Sequence, residues 1–111
     1  MLVKLPERSI LDELVEQKDR IIKEGNLYLT YIYSSLSRQP KNIYTFEKLI
    51  NDFETLRIVK AKDRVALKGI SKISRKQEPV IETRNKNLAK YLLKIQALFT
   101  AYKILELENV T

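Results

Sequence analysis

The sequence predicts a mainly α-helical fold, and three observations support that prediction. Only two Gly and three Pro occur in 111 residues, so few positions are expected to break a helix. Apolar residues recur at intervals of three and four along most of the chain, which is the spacing of one helix face. The chain is 44% hydrophobic, enough for a core, and its length predicts a single domain over 1–111. Within it we expect a helical core with a basic segment over 1–76 and a long C-terminal helix over 80–106.

The first predicted helix begins at Ser9, which is followed three residues later by Asp12 in the spacing of a capping box. Its apolar residues are Ile10, Leu11, Leu14, Val15, Ile21 and Ile22. Gly25 either ends this helix or lies inside a longer one that reaches Leu36. Both remain open, because tertiary packing can offset the cost of about 1 kcal/mol that Gly imposes in a helix interior.

A second helix is predicted from Thr45 to Leu56, with Thr45 as its N-cap. Its apolar stripe consists of Phe46, Leu49, Ile50, Phe53 and Leu56. This stripe follows the helical period, so the helix is expected to bury one face.

The most regular pattern begins after Pro79, where apolar residues follow a heptad-like spacing. A helix over 80–106 would be about 40 Å long, so part of it would lack a partner within so small a domain. We therefore consider it either the pairing helix of a homodimer or an ordinary helix of a bundle. The residues expected at the dimer contact are Leu88, Leu92, Ile95, Phe99 and Tyr102.

Positive charge is concentrated in the stretch RIVKAKDRVALKGISKISRK, residues 57–76. It contains eight bases and one acid, a net charge of +7 that equals the charge of the whole chain. The bases are Arg57, Lys60, Lys62, Arg64, Lys68, Lys72, Arg75 and Lys76. A local excess of this size favours an anionic partner, and nucleic acid is the first to consider. The alternative is a solvated basic surface that binds nothing.

Two conformations are compatible with the basic stretch. In a helix, five bases would recur every four residues and form one slowly winding stripe: Lys60, Arg64, Lys68, Lys72 and Lys76. In a β-hairpin that turns at Lys62–Asp63 and ends at Gly69, apolar residues and bases would alternate between the two faces. Both conformations leave the bases in water, so the expectation of an anionic partner does not depend on the choice.

Catalysis is not expected from this sequence. It contains no Cys and no His, so thiolate chemistry, the commonest general base and the commonest metal ligand are absent. Two Gly cannot form a glycine-rich phosphate loop. The acids Asp12, Glu13, Glu16 and Asp19 have the spacing of a solvated helix face. We therefore expect no cofactor, no metal and no small-molecule substrate.

The sequence also favours a soluble protein of the cytoplasm. No apolar run approaches the roughly 20 residues that span a membrane, and the start MLVKLPERSILDEL lacks the apolar region of a signal peptide. The absence of Cys agrees with a reducing compartment. The six tyrosines are expected to pack in the core with their hydroxyls in water, in preference to stacking on bases.

The segment FEKLINDFETLRIVKAKDRVALKG, residues 46–69, resembles the recognition helix and wing of archaeal winged-helix DNA-binding proteins. In that family an amphipathic helix leads into a basic two-stranded wing, which would lie near 57–68 here. The resemblance implies that Thr45–Leu56 enters the major groove, with Lys48 and Asn51 at base edges. The junction that is commonly Gly is Arg57 in this chain.

The same resemblance implies further contacts and a partner copy. Arg38 and Lys41, before the recognition helix, would contact phosphates together with the wing bases. A long helix after the wing is similar to the small archaeal chromatin-type members, which pair through such a helix.

The leading hypothesis is a non-enzymatic protein that binds nucleic acid, with double-stranded DNA favoured and RNA as the alternative ligand. It would act as a transcriptional regulator or chromatin protein, at the nucleoid. A second hypothesis is a helical subunit of a ribonucleoprotein or viral assembly, with an all-α bundle of three to four helices. The stretch LAKYLLKIQALFTAYKIL resembles the C-terminal helix of small subunits of CRISPR effector complexes. A third is a protein-interaction module that meets an acidic partner.

Overall fold

The computed structural model describes the backbone of residues 4–110 and the side chains of residues 12–108. It shows an α+β fold, in which helices accompany a three-stranded antiparallel sheet. In chain order the elements are α1 (Lys4–Ser35), α2 (Phe46–Asp52), β1 (Phe53–Lys60), β2 (Val65–Ser71), β3 (Gln77–Thr83), a 3₁₀ turn (Lys86–Leu88) and α3 (Ala89–Val110). The prediction of a mainly helical fold is therefore wrong, both for the winged-helix-like arrangement and for the helical bundle.

The sheet is a meander, since β2 pairs with β1 on one side and with β3 on the other. On one face, Leu67 lies opposite Ile58 of β1 and Ile81 of β3. On the other face, Arg57 lies opposite Lys68. The helices cover the face of Leu67, because its apolar residues share one buried cluster with side chains from all three helices.

The basic stretch forms the second half of β1, all of β2 and the turns that follow each of them. The predicted β-hairpin is thus the conformation of the basic stretch in the structure, and the alternative prediction of a helix is wrong. In a helix the bases would repel one another at every fourth position, whereas in the sheet the alternating apolar residues are buried. β3 was not predicted: residues 80–83 were assigned to the C-terminal helix, and they pair with β2 instead.

α1 runs without interruption through Gly25, so this glycine lies inside a helix about 48 Å long at 1.5 Å per residue. The ring of Phe46, at the start of α2, packs directly on the bare backbone of Gly25. α1 already begins at Lys4. The predicted N-cap Ser9 therefore lies within the helix, and its side chain is outside the described residues.

α2 begins at its predicted N-cap, since Thr45 Oγ1 accepts a hydrogen bond of 3.2 Å from the backbone N–H of Lys48. Asn26 of α1 holds the same helix end from the side. Its Oδ1 accepts a bond of 2.8 Å from the Phe46 N–H, and its Nδ2 donates to Glu47 Oε1 at 2.9 Å. The bonds from the N–H groups of Phe46 and Lys48 satisfy donors that the first turn of a helix leaves without partners.

α2 ends at Asp52, short of the predicted Leu56. The chain is extended from Phe53 onward because it pairs with β2 there. Lys103 of α3 ties down the last turn of α2, since its Nζ donates to the Ile50 carbonyl oxygen at 3.1 Å.

α3 lies antiparallel to α1, because Tyr91 meets Tyr31 at 4.7 Å between ring centroids while Lys18 meets the ring of Tyr102 at 5.5 Å. The helix begins at Ala89 and not at residue 80. The predicted boundary between a core over 1–76 and the C-terminal helix therefore lies inside the sheet, because β3 comes directly after residue 76. Five of the six tyrosines are buried or half-buried among the helices: Tyr28, Tyr33, Tyr44, Tyr91 and Tyr102.

The residues predicted for a dimer contact face the core of their own chain. Leu88, Leu92, Ile95 and Phe99 are buried, and Tyr102 is half-buried against the same cluster. The heptad-like stripe is thus the face that α3 turns toward the sheet and α1. In this structure the four buried side chains are not accessible to a second copy, whereas Tyr102 is partly exposed.

Candidate nucleic-acid interface

The face of the sheet opposite the helices is partly exposed to solvent: five of its residues are exposed, Val59, Lys68 and Ile70 are half-buried, and Ala66 is buried. The strand register places nine residues there: Thr55, Arg57 and Val59 of β1, Ala66, Lys68 and Ile70 of β2, and Gln77, Pro79 and Glu82 of β3. None of these nine belongs to the buried cluster beneath the helices. We call this surface the open face.

Arg57 and Lys68 form the charged centre of the open face. They lie directly opposite each other in the register of β1 and β2, and among the described residues neither forms an ion pair. Like charges at opposed positions of an antiparallel pair destabilise the sheet. An anion that contacts both side chains would remove this repulsion, so the pair is a candidate phosphate site.

The β1–β2 turn, residues 61–64, gathers further cations at one end of the open face. Lys62 in the turn is exposed and forms no ion pair within the described chain. Lys60, the last residue of β1, is also exposed and without an ion pair there, but its register position is on the helix side of the sheet. Arg64 is held between two carboxylates, with Nη1 3.3 Å from Glu82 Oε1 and Nε 3.5 Å from Asp63 Oδ1. The pKa of Asp63 is lowered first by a hydrogen bond from its own backbone N–H and then by the charge of Arg64.

A cleft of about 550 Å³ adjoins this turn, between the end of α1 and the end of β3. Its lining contains three arginines, one carboxylate and several hydroxyl or amide groups: Arg38, Arg64, Arg84, Glu82, Ser35, Ser37, Thr83 and Asn85. A further cation stands nearby, because Lys86 Nζ donates to the Lys62 carbonyl oxygen at 2.6 Å. Arginine forks and hydroxyls suit a phosphate group, which they can bind through paired hydrogen bonds.

Sequence reasoning does not find Arg84 and Lys86, because it assigns residues 80–106 to a helix surface. One signal was present: the run Arg84–Asn87 contains no apolar residue, which is typical of a loop between two elements. Arg38 was predicted to contact phosphate from the resemblance, and it does line the cleft. Lys41 was predicted with it and does not line the cleft.

The β2–β3 turn, residues 72–76, places cations at the other end of the sheet. Arg75 Nη1 lies 3.3 Å from Glu54 Oε1, whereas Lys72 and Lys76 are exposed and form no ion pair with any described residue. Lys72 faces Lys103, whose pKa is lowered by burial and then by this neighbouring charge. The turn therefore carries unneutralised positive charge.

The basic stretch is thus a track and not a single patch. Its cations lie at both ends of the sheet and at Arg57 and Lys68 between them. The ends are about 23 Å apart, since β2 has seven residues at about 3.3 Å each. Of the eight bases of residues 57–76, only Arg64 and Arg75 form ion pairs among the described residues.

The predicted base-reading residues lie away from this track. Lys48 and Asn51 are exposed on α2, which packs on the helix side of the sheet through its buried residues. Lys48 Nζ is 3.2 Å from Asp52 Oδ2 in an ion pair. α2 has only seven residues, which is about 10 Å of helix. It carries two acids, Glu47 and Asp52, and one base, Lys48. The structure therefore does not bring these side chains to the open face.

Across residues 12–108 no three acidic side chains are grouped so that they could hold a metal ion. The described helices include none with the length and apolar character needed to cross a membrane. Comparison with known proteins finds no protein family, curated protein or solved structure that is significantly similar to this chain.

Proposed function

We propose that this protein binds nucleic acid, with duplex DNA as the favoured ligand, through the open face and the cations at its two ends. The observation that carries the proposal is the opposed pair Arg57 and Lys68 on an uncovered sheet face. Two such charges at facing positions destabilise the sheet, and an anion that lies over them would offset this repulsion. Phosphates would also meet the unpaired cations of both turns, and the proposal includes no catalytic step.

A duplex fits this surface better than a single strand. Proteins that bind single strands on an exposed sheet stack the bases on aromatic side chains. The nine residues of the open face include no aromatic ring, and the tyrosines pack on the helix side. A duplex keeps its bases stacked and offers its phosphates, which matches a surface of cations without rings.

Binding of this kind would depend little on base sequence. Cations on strands and turns contact the backbone, which positions a protein but carries no sequence information directly. The short, acidic α2 supports few base contacts in the major groove. We therefore favour a chromatin-type protein, at the nucleoid in the cytoplasm, over an operator-specific regulator.

The test is fluorescence anisotropy with a labelled duplex DNA of about 30 base pairs, titrated over a range of salt concentrations. The double variant Arg57→Gln, Lys68→Gln should weaken binding and make the log–log salt slope shallower by about 1, since the pair holds one phosphate and each lost phosphate contact removes about 1. The matched control is Arg20→Gln, Lys23→Gln, which removes the same charge from the exposed surface of α1.

Three outcomes would contradict the proposal. No duplex binding by the wild-type protein at low salt would reject it. An equal loss in both double variants would mean that only net charge matters and not the open face. Tighter binding to a matched single strand or to RNA would move the function to a ribonucleoprotein subunit.

A further inference from the structure

The β2–β3 turn has a second property besides its charge, because it exposes an isoleucine at its tip. Ile73 is 93% exposed, more than any other large apolar side chain that the structure describes. Its neighbours Lys72, Arg75 and Lys76 are all cations. An apolar side chain held in water among cations suggests a partner that is both anionic and able to accept an apolar group.

The turn is rigidly built around Ser71, the buried last residue of β2. Ser71 Oγ accepts hydrogen bonds from the N–H groups of Ile73 at 3.2 Å and of Ser74 at 3.3 Å. The Ser71 carbonyl oxygen accepts from the Arg75 N–H at 2.9 Å, and Arg75 takes a left-handed backbone with φ of 62°. These bonds fix the backbone at Ile73, so the tip loses little backbone entropy on binding.

We propose that Ile73 is a wedge that inserts between two base pairs of the bound duplex and kinks it. Side chains of this type partly unstack a base step from the minor groove, while neighbouring cations hold the phosphates. The inference rests on the proposed function, and it adds how the duplex is deformed. Lys68 and Ile73 are five positions apart, at most about 16 Å at 3.3 Å per residue, so one duplex can contact both.

The charge and size of the tip favour a duplex over a lipid surface. Membrane insertion is driven by a broad apolar area, and this turn presents a single apolar side chain. A base step accepts one side chain, and the two flanking cations that form no ion pair with a described residue, Lys72 and Lys76, match the phosphates on either side of it. The Ser74 hydroxyl is occupied in a bond of 2.9 Å to Glu78, so it takes no part in the insertion.

The experiment measures the end-to-end distance of a duplex by energy transfer between dyes on its two ends, with saturating protein. The wild-type protein should shorten that distance by a kink of at least about 20°. Ile73→Ala should abolish the kink and weaken binding about tenfold, with an unchanged salt slope. The control Leu27→Ala removes another exposed apolar side chain, on α1, and should change neither quantity.

The possible results separate this inference from the proposed function. Duplex binding with the same bend and affinity in wild type and Ile73→Ala would overturn the wedge while the function stands. No duplex binding by the wild type would overturn both. Binding to anionic lipid vesicles that Ile73→Ala abolishes, without any bend in DNA, would overturn the wedge in favour of a membrane contact.

Discussion

The ring of Phe46 occupies the space where any other residue at position 25 would carry its side chain. A Cβ built on Gly25 would lie 2.2 Å from Phe46 Cδ1 and 2.5 Å from Cγ. Both residues are buried. This contact sets the distance between α1 and α2, and it explains why a glycine occurs in the middle of a long helix.

Gly25→Ala should therefore destabilise the protein, although Ala is the better helix former. Alanine gains up to about 1 kcal/mol of helix propensity, whereas overpacking of a core costs about 1–3 kcal/mol. We expect the free energy of unfolding, measured in urea, to fall by about 1–2 kcal/mol. Glu24→Ala, at the exposed neighbouring position, should change it by less than about 0.5 kcal/mol. An equally or more stable Gly25→Ala protein would show that the ring can move aside freely.

Leu92→Ala should destabilise the fold and not merely dissociate a dimer. Leu92 is 0% exposed in the core of its own chain, so its truncation leaves a cavity that costs about 2–5 kcal/mol. Leu107→Ala is the matched control on the same helix, because Leu107 is 70% exposed. Thermal unfolding and sedimentation of both variants would test this. A change of molecular mass at unchanged stability in Leu92→Ala would contradict the burial of this residue.

Arg84→Gln should weaken binding to duplex DNA and make its salt slope shallower by about 1. Arg84 lines the cleft with Arg38 and Arg64, where a phosphate would touch it. Lys90→Gln is the control, since Lys90 is exposed on α3 and its Nζ lies over the Tyr91 ring at 5.2 Å. Identical salt slopes for wild type and Arg84→Gln would exclude the cleft from the interface.

The titration of Glu47 should respond to Asn26. A hydrogen bond from the Asn26 side chain is the main cause that lowers the pKa of Glu47 below its ordinary value of 4.5. The pKa of Glu47 is lower in the folded state than in the unfolded state. The bond therefore stabilises the folded protein at pH values above the unfolded pKa, and this stabilisation is lost as the pH falls through the folded pKa. In Asn26→Ala the pKa of Glu47 should rise toward 4.5, as measured by NMR.

Glu47→Gln serves as the control for that prediction. It keeps a side-chain oxygen as acceptor for Asn26 but cannot titrate, so the part of the acid destabilisation that comes from Glu47 should disappear. An unchanged Glu47 pKa in Asn26→Ala would show that the bond does not determine the titration.

Features that depend on neighbours along the chain were predicted from the sequence. Thr45 caps α2 as expected, because an N-cap needs only a side-chain oxygen and an N–H three residues away. The excess of charge over residues 57–76 follows from composition alone. The helical period after Ala89 also predicts α3, since the side chains that form one helix face lie within four residues of each other.

Features that depend on distant partners were decided by the tertiary structure. Residues 77–83 form a strand because they pair with the edge of β2 that β1 leaves unpaired. No local pattern in the sequence predicts this pairing. Gly25 stays inside a helix because Phe46 fills the space beside it. The heptad-like stripe of α3 meets the sheet of its own chain and not a second copy. Periodicity shows which face is apolar, but the packing of distant elements determines what that face contacts.

The candidate site divides in the same way. The sequence alone shows that the chain is basic and that the excess of positive charge lies in residues 57–76. Register and turn geometry decide the rest. They place Arg57 opposite Lys68, bring Arg84 together with Arg38 and Arg64 in one cleft, and leave Ile73 exposed to water. Charge is carried by each residue wherever it lies, whereas a binding surface requires side chains from distant positions to be brought together by the fold.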